Sequence, residues 1–175
     1  MPTGLVVSAH AADFVWRAGG AVALHASRGY RMVVVCLSFG ERGESARLWR
    51  EPGATLEKVK ATRRAEAEKA AEILGAELVL FDLGDYPLRV PDEKMLELAD
   101  IIRTVRPEFI LGHSVEDPYN YDHPLAKSLT HEARIIAQQA NGHNPELPVV
   151  GAPPLFLFEP HQPEQSDFKP NVLLD

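Results

Sequence analysis

Short apolar runs alternate with longer amphipathic segments along the chain, a pattern that predicts strands alternating with helices. The predicted strands are Gly4–His10, Arg31–Ser38, Glu77–Asp82, Phe109–Ser114 and Leu155–Pro160. The predicted helices are Phe14–Arg28, Leu56–Leu74, Pro91–Val105 and Pro124–Ala140. This alternation indicates an α/β fold in which a mostly parallel sheet carries helices on both faces.

The pattern fits a single α/β domain over residues 1–175, with no internal repeat and no linker. Gly29 and Gly75 follow the first two predicted helices, where a left-handed glycine commonly ends a helix. The closing run Asn171–Asp175 resembles another strand, with no helix after it to cover it. We therefore expect that a C-terminal piece is missing from this sequence.

Composition limits the classes of binding partner and the cellular compartment that we expect for this protein. The formal net charge is −7, without a basic run, which argues against nucleic acid and anionic membranes as partners. Cys36 is the only cysteine and lies in an apolar strand, as suits a reducing cytoplasm. We see no signal peptide and no apolar stretch long enough to span a bilayer. We expect a cytoplasmic protein that acts on a small molecule.

Polar residues collect where the predicted strands end, the edge at which open parallel sheets bind ligands. Four of the seven histidines fall there, namely His10, His113, His123 and His161. The acidic residues at this edge are Asp13, Asp82, Asp85, Glu116, Asp117, Asp122, Glu159 and Glu164. Such a concentration predicts a polar site with metal-binding capacity.

His10 and Asp13 can point at one metal ion, because they are three residues apart around a strand-to-helix turn. Zinc accepts this nitrogen and oxygen mixture and needs a third protein ligand. We predict His123 as that ligand, with His113 as the alternative. Taken singly, Asp13 could instead be a helix N-cap, and each histidine could be structural.

The loop between the second strand and second helix, "FGERGESARLWREPG", is rich in glycine and charge. It lacks the spacing of a phosphate-binding loop, so we exclude a nucleotide site. Arg42, Arg47 and Arg50 in this loop are either solvated or hold substrate carboxylates. Arg63 and Glu66, on the following helix, are spaced to support that helix.

Several motifs together resemble the PIG-L/LmbE family, which is typified by zinc-dependent sugar de-N-acetylases. They are "AH-x-x-D" after the first strand, "GERG", "R-x-x-E-x-x-x-A-A-x-x-L-G" and a late "DH". The resemblance covers nearly the whole chain in the right order. It implies a Rossmann-like, LmbE-like sheet and a zinc ion, or another divalent metal, bound by His10, Asp13 and His123. It also makes a homo-oligomer plausible.

The departures from the family pattern point away from amide hydrolysis. The deacetylase motif A-H-P-D-D-E is "AHAADF" here, so the family's general base is replaced by Ala12. The histidine of the family's H-x-D-H motif is Asn120. Alanine cannot accept a proton. The longer runs "SAHAADFVWRAGG", "CLSFGERGESARLW", "DPYNYDHPLA" and "FLFEPHQPEQ" together resemble the GalB-type 4-oxalomesaconate hydratases within this family. These enzymes add water to a double bond in gallate and protocatechuate breakdown.

This resemblance implies a tricarboxylate substrate and a zinc ion that polarises it or binds the attacking water. Glu44 and His161 are the candidate acid/base residues, although both could simply be solvated loop residues. The candidate substrate-binding residues are Arg42, Arg47, Arg50, Asn120 and Tyr121. Two alternatives stay open: a zinc de-N-acetylase that recruits another base, and a metal-retaining binding protein without turnover.

Overall fold

The computed structural model describes residues 1–140 and 143–174, and its centre is one sheet of five parallel strands. The strands are β1 (Thr3–Ser8), β2 (Arg31–Cys36), β3 (Ala76–Leu80), β4 (Phe109–Gly112) and β5 (Leu155–Leu157). Their order across the sheet is β3-β2-β1-β4-β5. The predicted α/β class with a parallel sheet is therefore confirmed.

Helices cover both faces of this sheet. They are α1 (Asp13–Trp16), α2 (Gly19–Ser27), α3 (Leu56–Leu74), α4 (Asp92–Val105) and α5 (Asp122–Ile136). Alternate side chains of β1 enter two cores: Val7 packs with α4 and α5, and Val6 packs with α1, α2 and α3. Among the described residues, no helix combines the length and the apolar character that crossing a bilayer requires.

The first predicted helix is wrong in one respect, because it is two helices. The backbone departs from helical geometry at Ala18, where φ is −118° and ψ is −6°. The Gly19–Gly20 pair follows, and glycine is the weakest helix former after proline. The break lets α1 form a separate short turn directly after His10.

The prediction of a strand over Asn171–Asp175 is also wrong for the part of it that the structure describes. Residues 171–174 pair with no described strand and are exposed to solvent. Apolar sequence alone does not make a strand, since its backbone groups need a neighbouring strand as partner. Asp175 lies outside the described residues.

The chain order places a topological switch point between β1 and β4. From β1 the chain adds β2 and β3 on one side, and then returns to add β4 and β5 on the other. The loops that leave β1 and β4 therefore diverge to opposite faces of the sheet. In sheets of this kind, ligands bind outside the carboxyl ends of the strands at such a switch point.

Candidate metal and active site

The turn after β1 buries His10 and Asp13 at this switch point. Ser8 Oγ donates to the His10 carbonyl (2.6 Å), which holds His10 just beyond the strand end. Asp13 begins α1, yet its carboxylate does not cap the helix. Instead Asp13 Oδ2 accepts from the backbone N–H of His10 (3.0 Å). The N-cap alternative for Asp13 therefore does not describe its contacts.

Three potential metal ligands converge on this turn. His10 Nδ1 lies 3.0 Å from Asp13 Oδ2, and His123 Nε2 lies 3.3 Å from the same oxygen. His123 Nε2 is buried and has no hydrogen-bond partner in the described structure. An unpartnered imidazole nitrogen facing a buried carboxylate is the arrangement a divalent cation would complete. His10, Asp13 and His123 are called the ligand cluster below.

A second carboxylate orients each histidine of the ligand cluster. His10 Nε2 donates to Asp122 Oδ2 (3.1 Å), and His123 Nδ1 donates to Asp117 Oδ2 (2.8 Å). These bonds direct His10 Nδ1 and His123 Nε2 at Asp13. Carboxylates behind the histidines of a metal site fix the tautomer in this way.

The charges of the cluster stabilise one another. Burial alone would lower the pKa of His10, but hydrogen bonds to Asp122 and Asp13 outweigh it and raise the pKa to about 10. Burial would raise the pKa of Asp122, whereas its bonds to His10 and to two backbone N–H groups lower the pKa to about 2. Asp13 in the ligand cluster and Asp122 beside it are thus anionic, which favours a cation among them.

His113 is a core residue at the end of β4 and not a member of the ligand cluster. Its Nε2 accepts from the backbone N–H of Ala9 (2.9 Å), which uses the lone pair a metal would need. Burial lowers the pKa of His113 well below its usual value, so the ring is neutral. Its ring packs edge-on against Phe158.

Glu44 reaches the cluster from the loop after β2. Its Oε1 lies 3.9 Å from His10 Nδ1, and its Oε2 accepts from the Ala12 backbone N–H (3.2 Å). Arg63 Nη2 donates to the same Oε2 (3.1 Å). Gly40 adopts a left-handed φ of +69°, and a Cβ there would overlap the Glu44 carboxylate. The "GERG" turn therefore places a carboxyl group beside Ala12.

The surroundings of Glu44 raise the pKa of its carboxyl group. Burial is the main cause, and the nearby negative charge of Asp13 acts in the same direction. Carboxyl groups with a raised pKa are candidates for acid/base roles.

His161 lies on the outer side of His123. Its Nδ1 is 3.0 Å from Asp117 Oδ2, and its backbone N–H donates to that oxygen (3.2 Å). The His161 and His123 rings are nearly parallel, with centroids 5.6 Å apart. The His161 side chain is 49% exposed, so its ring joins the buried cluster to solvent.

The other predicted site residues are not members of the ligand cluster. Arg42, Arg47 and Arg50 are exposed, and no hydrogen bond or ion pair involves their side chains among the described residues. Tyr121 is 87% exposed. Asn120 is buried, and its Oδ1 accepts from the Asp122 backbone N–H (3.0 Å) at the start of α5.

Sequence reasoning missed several neighbours of the cluster. Tyr86 stacks on His10 with ring centroids 5.7 Å apart, and the chain pattern gave no signal for it. Asp117 was visible only as a member of an acidic edge, and Asp122 as a member of that edge and of the "DH" motif, without a role behind a histidine. The Arg63–Glu66 pair forms as predicted (2.7 Å), but Arg63 also binds Glu44. Arg17, which lies beside Asp13, was not singled out.

Comparison with known proteins places this site in a family. The profile of the PIG-L family, described as GlcNAc-PI de-N-acetylase, matches residues 5–134. The chain is 63% identical over 173 residues to a 4-oxalmesaconate hydratase of Pseudomonas putida, and the match covers 99% of this chain and 67% of that protein.

Solved structures agree with the sequence match. The crystal structure of GalB, the 4-carboxy-2-hydroxymuconate hydratase from Pseudomonas putida KT2440, superposes with a TM-score of 0.96 at 62% identity, covering 100% of this chain and 72% of that chain. The N,N'-diacetylchitobiose deacetylase from Pyrococcus horikoshii has a TM-score of 0.79 at 23% identity, over 91% of this chain and 61% of that chain. The second likeness concerns the fold alone.

Proposed function

This chain belongs to the PIG-L family, and we propose that it is a metal-dependent hydratase that adds water to the double bond of 4-oxalomesaconate. The product is 4-carboxy-4-hydroxy-2-oxoadipate, in gallate or protocatechuate catabolism. The observation that carries the proposal is that Ala12 occurs in the same site as an intact ligand cluster. The three residues proposed as metal ligands are kept, the position of the family's hydrolytic aspartate is Ala12, and a different carboxyl group, Glu44, lies beside it. The relatives at 62–63% identity are hydratases.

We propose His10, Asp13 and His123 as the metal ligands, with zinc as the expected ion. The unpartnered Nε2 of His123 supports this assignment. When bound, the ion supplies Lewis acidity that polarises substrate oxygens and eases the loss of a proton from water. The protein's own part is to hold both imidazoles in the ligating tautomer through Asp117 and Asp122.

Glu44 is the proposed base. Its carboxylate takes the proton of the attacking water, whose oxygen bonds to one alkene carbon while the π bond breaks. Arg63 and the Ala12 N–H fix the carboxylate next to His10, which restricts its rotamers before substrate arrives. No group leaves the substrate in this step, so the chemistry requires no amide-cleaving dyad.

His161 is the proposed acid, which delivers a proton to the second alkene carbon. Asp117 binds its Nδ1, so Nε2 is the nitrogen that can face a ligand. The half-exposed ring can regain a proton from solvent between turnovers. Addition of one hydroxyl and one proton completes the hydration without net change in oxidation state.

The predicted binding residues suit a trianionic substrate at the mouth of the site. Arg42, Arg47 and Arg50 are exposed cations on the loop that carries Glu44, and they would attract a tricarboxylate. Asn120 Oδ1 is occupied by the Asp122 N–H, which leaves the amide nitrogen to donate. Tyr121 extends into solvent next to it.

The deciding experiment mixes the purified, metal-loaded protein with 4-oxalomesaconate and follows the ultraviolet absorbance of the conjugated alkene. We expect absorbance to fall, and a chelator to stop the fall. Parallel incubation with N-acetyl sugars tests for released acetate, which a hydratase does not produce. Acetate release without loss of the alkene would favour a deacetylase, and binding of 4-oxalomesaconate without turnover would favour a binding protein.

The cellular setting is part of the same proposal. The buried free thiol of Cys36 suits a cytoplasmic protein, and we also propose a homo-oligomer. Light scattering after size-exclusion chromatography would test the second point, since a monomer mass would contradict it.

A further inference from the structure

The side chain of Arg17 turns inward beside the ligand cluster. Arg17 follows α1, and its backbone N–H donates to the Asp13 carbonyl one turn earlier (2.8 Å). Trp16, its neighbour, is 87% exposed, whereas the Arg17 side chain is only 14% exposed. The long charged side chain is therefore folded against the site and not spread over the surface.

The guanidinium of Arg17 has an unused donor. Nη1 donates to the backbone carbonyl of Glu159, which fixes the direction of the side chain. Nε is buried without a hydrogen-bond partner and lies 3.6 Å from Asp13 Oδ1. A buried N–H without an acceptor is costly, so a ligand that brings an acceptor to this position gains affinity.

The two oxygens of Asp13 face different neighbours. Oδ2 faces His10 and His123, and Oδ1 faces Arg17. An anion bound by Arg17 would thus lie next to the ligand cluster and leave the ligating atoms free.

No other arginine near the cluster combines these properties within the described residues. All three guanidinium nitrogens of Arg63 are engaged, by the Phe39 carbonyl, Glu66 and Glu44. The loop arginines predicted to bind substrate are exposed and do not contact the cluster.

We propose that Arg17 binds one carboxylate of the substrate and makes the site specific for a polycarboxylate. This inference rests on the proposed function, which supplies a substrate with three carboxylates. Arginine offers a planar fork of N–H groups that matches a carboxylate, and the Nε edge of Arg17 is the free side of that fork. The bound carboxylate holds the alkene beside the ligand cluster, where Glu44 and His161 flank it.

The test measures binding separately from turnover. Isothermal titration calorimetry of the metal-loaded full chain gives the affinities for 4-oxalomesaconate and for tricarballylate, a saturated tricarboxylate. We expect Arg17→Gln to weaken binding of both at least tenfold and to raise KM by a similar factor, with a smaller change in kcat. The affinity of Arg17→Lys should lie between those of the wild type and Arg17→Gln, because lysine keeps the positive charge but loses the planar fork of N–H groups. Arg64→Gln, an exposed arginine on the outer surface of α3, is the matched control and should bind as the wild type does.

Bound metal and circular dichroism are measured for each variant. Equal binding by wild type and Arg17→Gln, including no binding by either, overturns the proposal. Loss of metal or fold in both Arg17→Gln and Arg17→Lys also overturns it, because Arg17 would then only support Asp13. Arg17-dependent binding without turnover refutes the hydratase and leaves this role standing, whereas turnover with unchanged binding in Arg17→Gln does the reverse.

Discussion

Glu44 and Glu66 both bind Arg63, but only Glu44 faces the ligand cluster. Glu66 is half-exposed on α3, and its ion pair is the type that contributes little to stability. Glu44 instead lies against the Ala12 N–H and near His10. The two carboxylates share Arg63 as a partner, but only one of them lies beside the ligand cluster. Substituting each in turn therefore separates the effect of losing the ion pair from the effect of losing a carboxylate in the site.

We expect Glu44→Gln to reduce kcat about 10²- to 10⁴-fold, because the amide keeps the size of the side chain and cannot accept the proton. Metal content should be unchanged, since Glu44 is not in the ligand cluster. Steady-state kinetics and metal analysis check both points. Glu66→Gln is the control and should retain nearly full activity. Wild-type activity in Glu44→Gln would show that another group is the base.

Asp122 tests the role of the carboxylates behind the histidines. Asp122→Asn should weaken metal affinity about 10- to 100-fold, because His10 Nε2 loses its anionic acceptor. The asparagine oxygen can still accept from the Tyr86 or Leu88 N–H groups, which limits damage to the loop. Competition with a chromophoric chelator measures the affinity. Unchanged affinity would mean that Asp122 serves the loop alone.

The charge state of His10 predicts how metal binding depends on pH. In the metal-free protein the pKa of His10 is raised to about 10, so the ring is protonated at pH 7. A metal at Nδ1 must displace that proton, so affinity should rise with pH up to about 10, with about one proton released per ion at pH 7. Calorimetry in buffers of different ionisation enthalpy counts the protons. No proton release would contradict the assignment of His10 as a ligand.

The same hydrogen-bonded pair links stability to pH in the metal-free protein. The raised pKa of His10 adds to the free energy of unfolding. This stabilisation is complete below about pH 6.5 and is lost as the pH rises through about 10. The lowered pKa of Asp122 also stabilises the fold. This stabilisation is complete above about pH 3.8 and is lost as the pH falls through about 2. Both shifts describe the hydrogen bond between His10 and Asp122. The free energy of unfolding of the metal-free protein should therefore be greatest between about pH 3.8 and pH 6.5.

Among the helices, two glycines have opposite roles. Gly75 ends α3 with a left-handed φ of +72°, and a Cβ there would lie 3.3 Å from the Ala26 Cβ. Gly20 lies inside α2, and a Cβ there would meet nothing within 4 Å. Only Gly75 therefore needs the conformational freedom of glycine.

We expect Gly75→Ala to lower the free energy of unfolding by about 1 kcal/mol, because alanine disfavours the left-handed conformation. Gly20→Ala should raise it by about 0.5–1 kcal/mol, because alanine is the better helix former. Urea unfolding of both variants measures the difference. Equal effects of the two substitutions would contradict the distinction.

The elements also show how far sequence reasoning reaches. The period of apolar residues located all five strands, and Gly75 marked the end of α3 to the residue. Element bounds were less accurate: β1 was predicted to run to His10 and ends at Ser8, whose hydroxyl group donates to the His10 carbonyl. His10, Asp13 and His123 could be foreseen as a cluster because strand ends meet at one edge. Tyr86 and Arg17 could not, because only packing brings their side chains there.

At the scale of the whole molecule, a bound cation should stabilise the fold. The ligand cluster and its supporting carboxylates bring several negative charges into a buried space, in a chain of net charge −7. A saturating divalent metal should raise the melting temperature, by an amount that grows with the logarithm of metal concentration. Thermal unfolding with and without zinc measures this. His123→Ala should abolish the increase, and an equal increase in that variant would place the metal elsewhere.

The switch point between β1 and β4 has a consequence for how the protein is made. His10 and Asp122, which meet in the site, are 112 residues apart in the chain. Of the three proposed metal ligands, His10 and Asp13 leave the ribosome early, and His123 emerges only with α5. On this proposal a nascent chain carries two of the three ligands through most of its synthesis, and selective retention of metal starts only when the two halves of the sheet come together. Metal loading would thus report the completion of the fold.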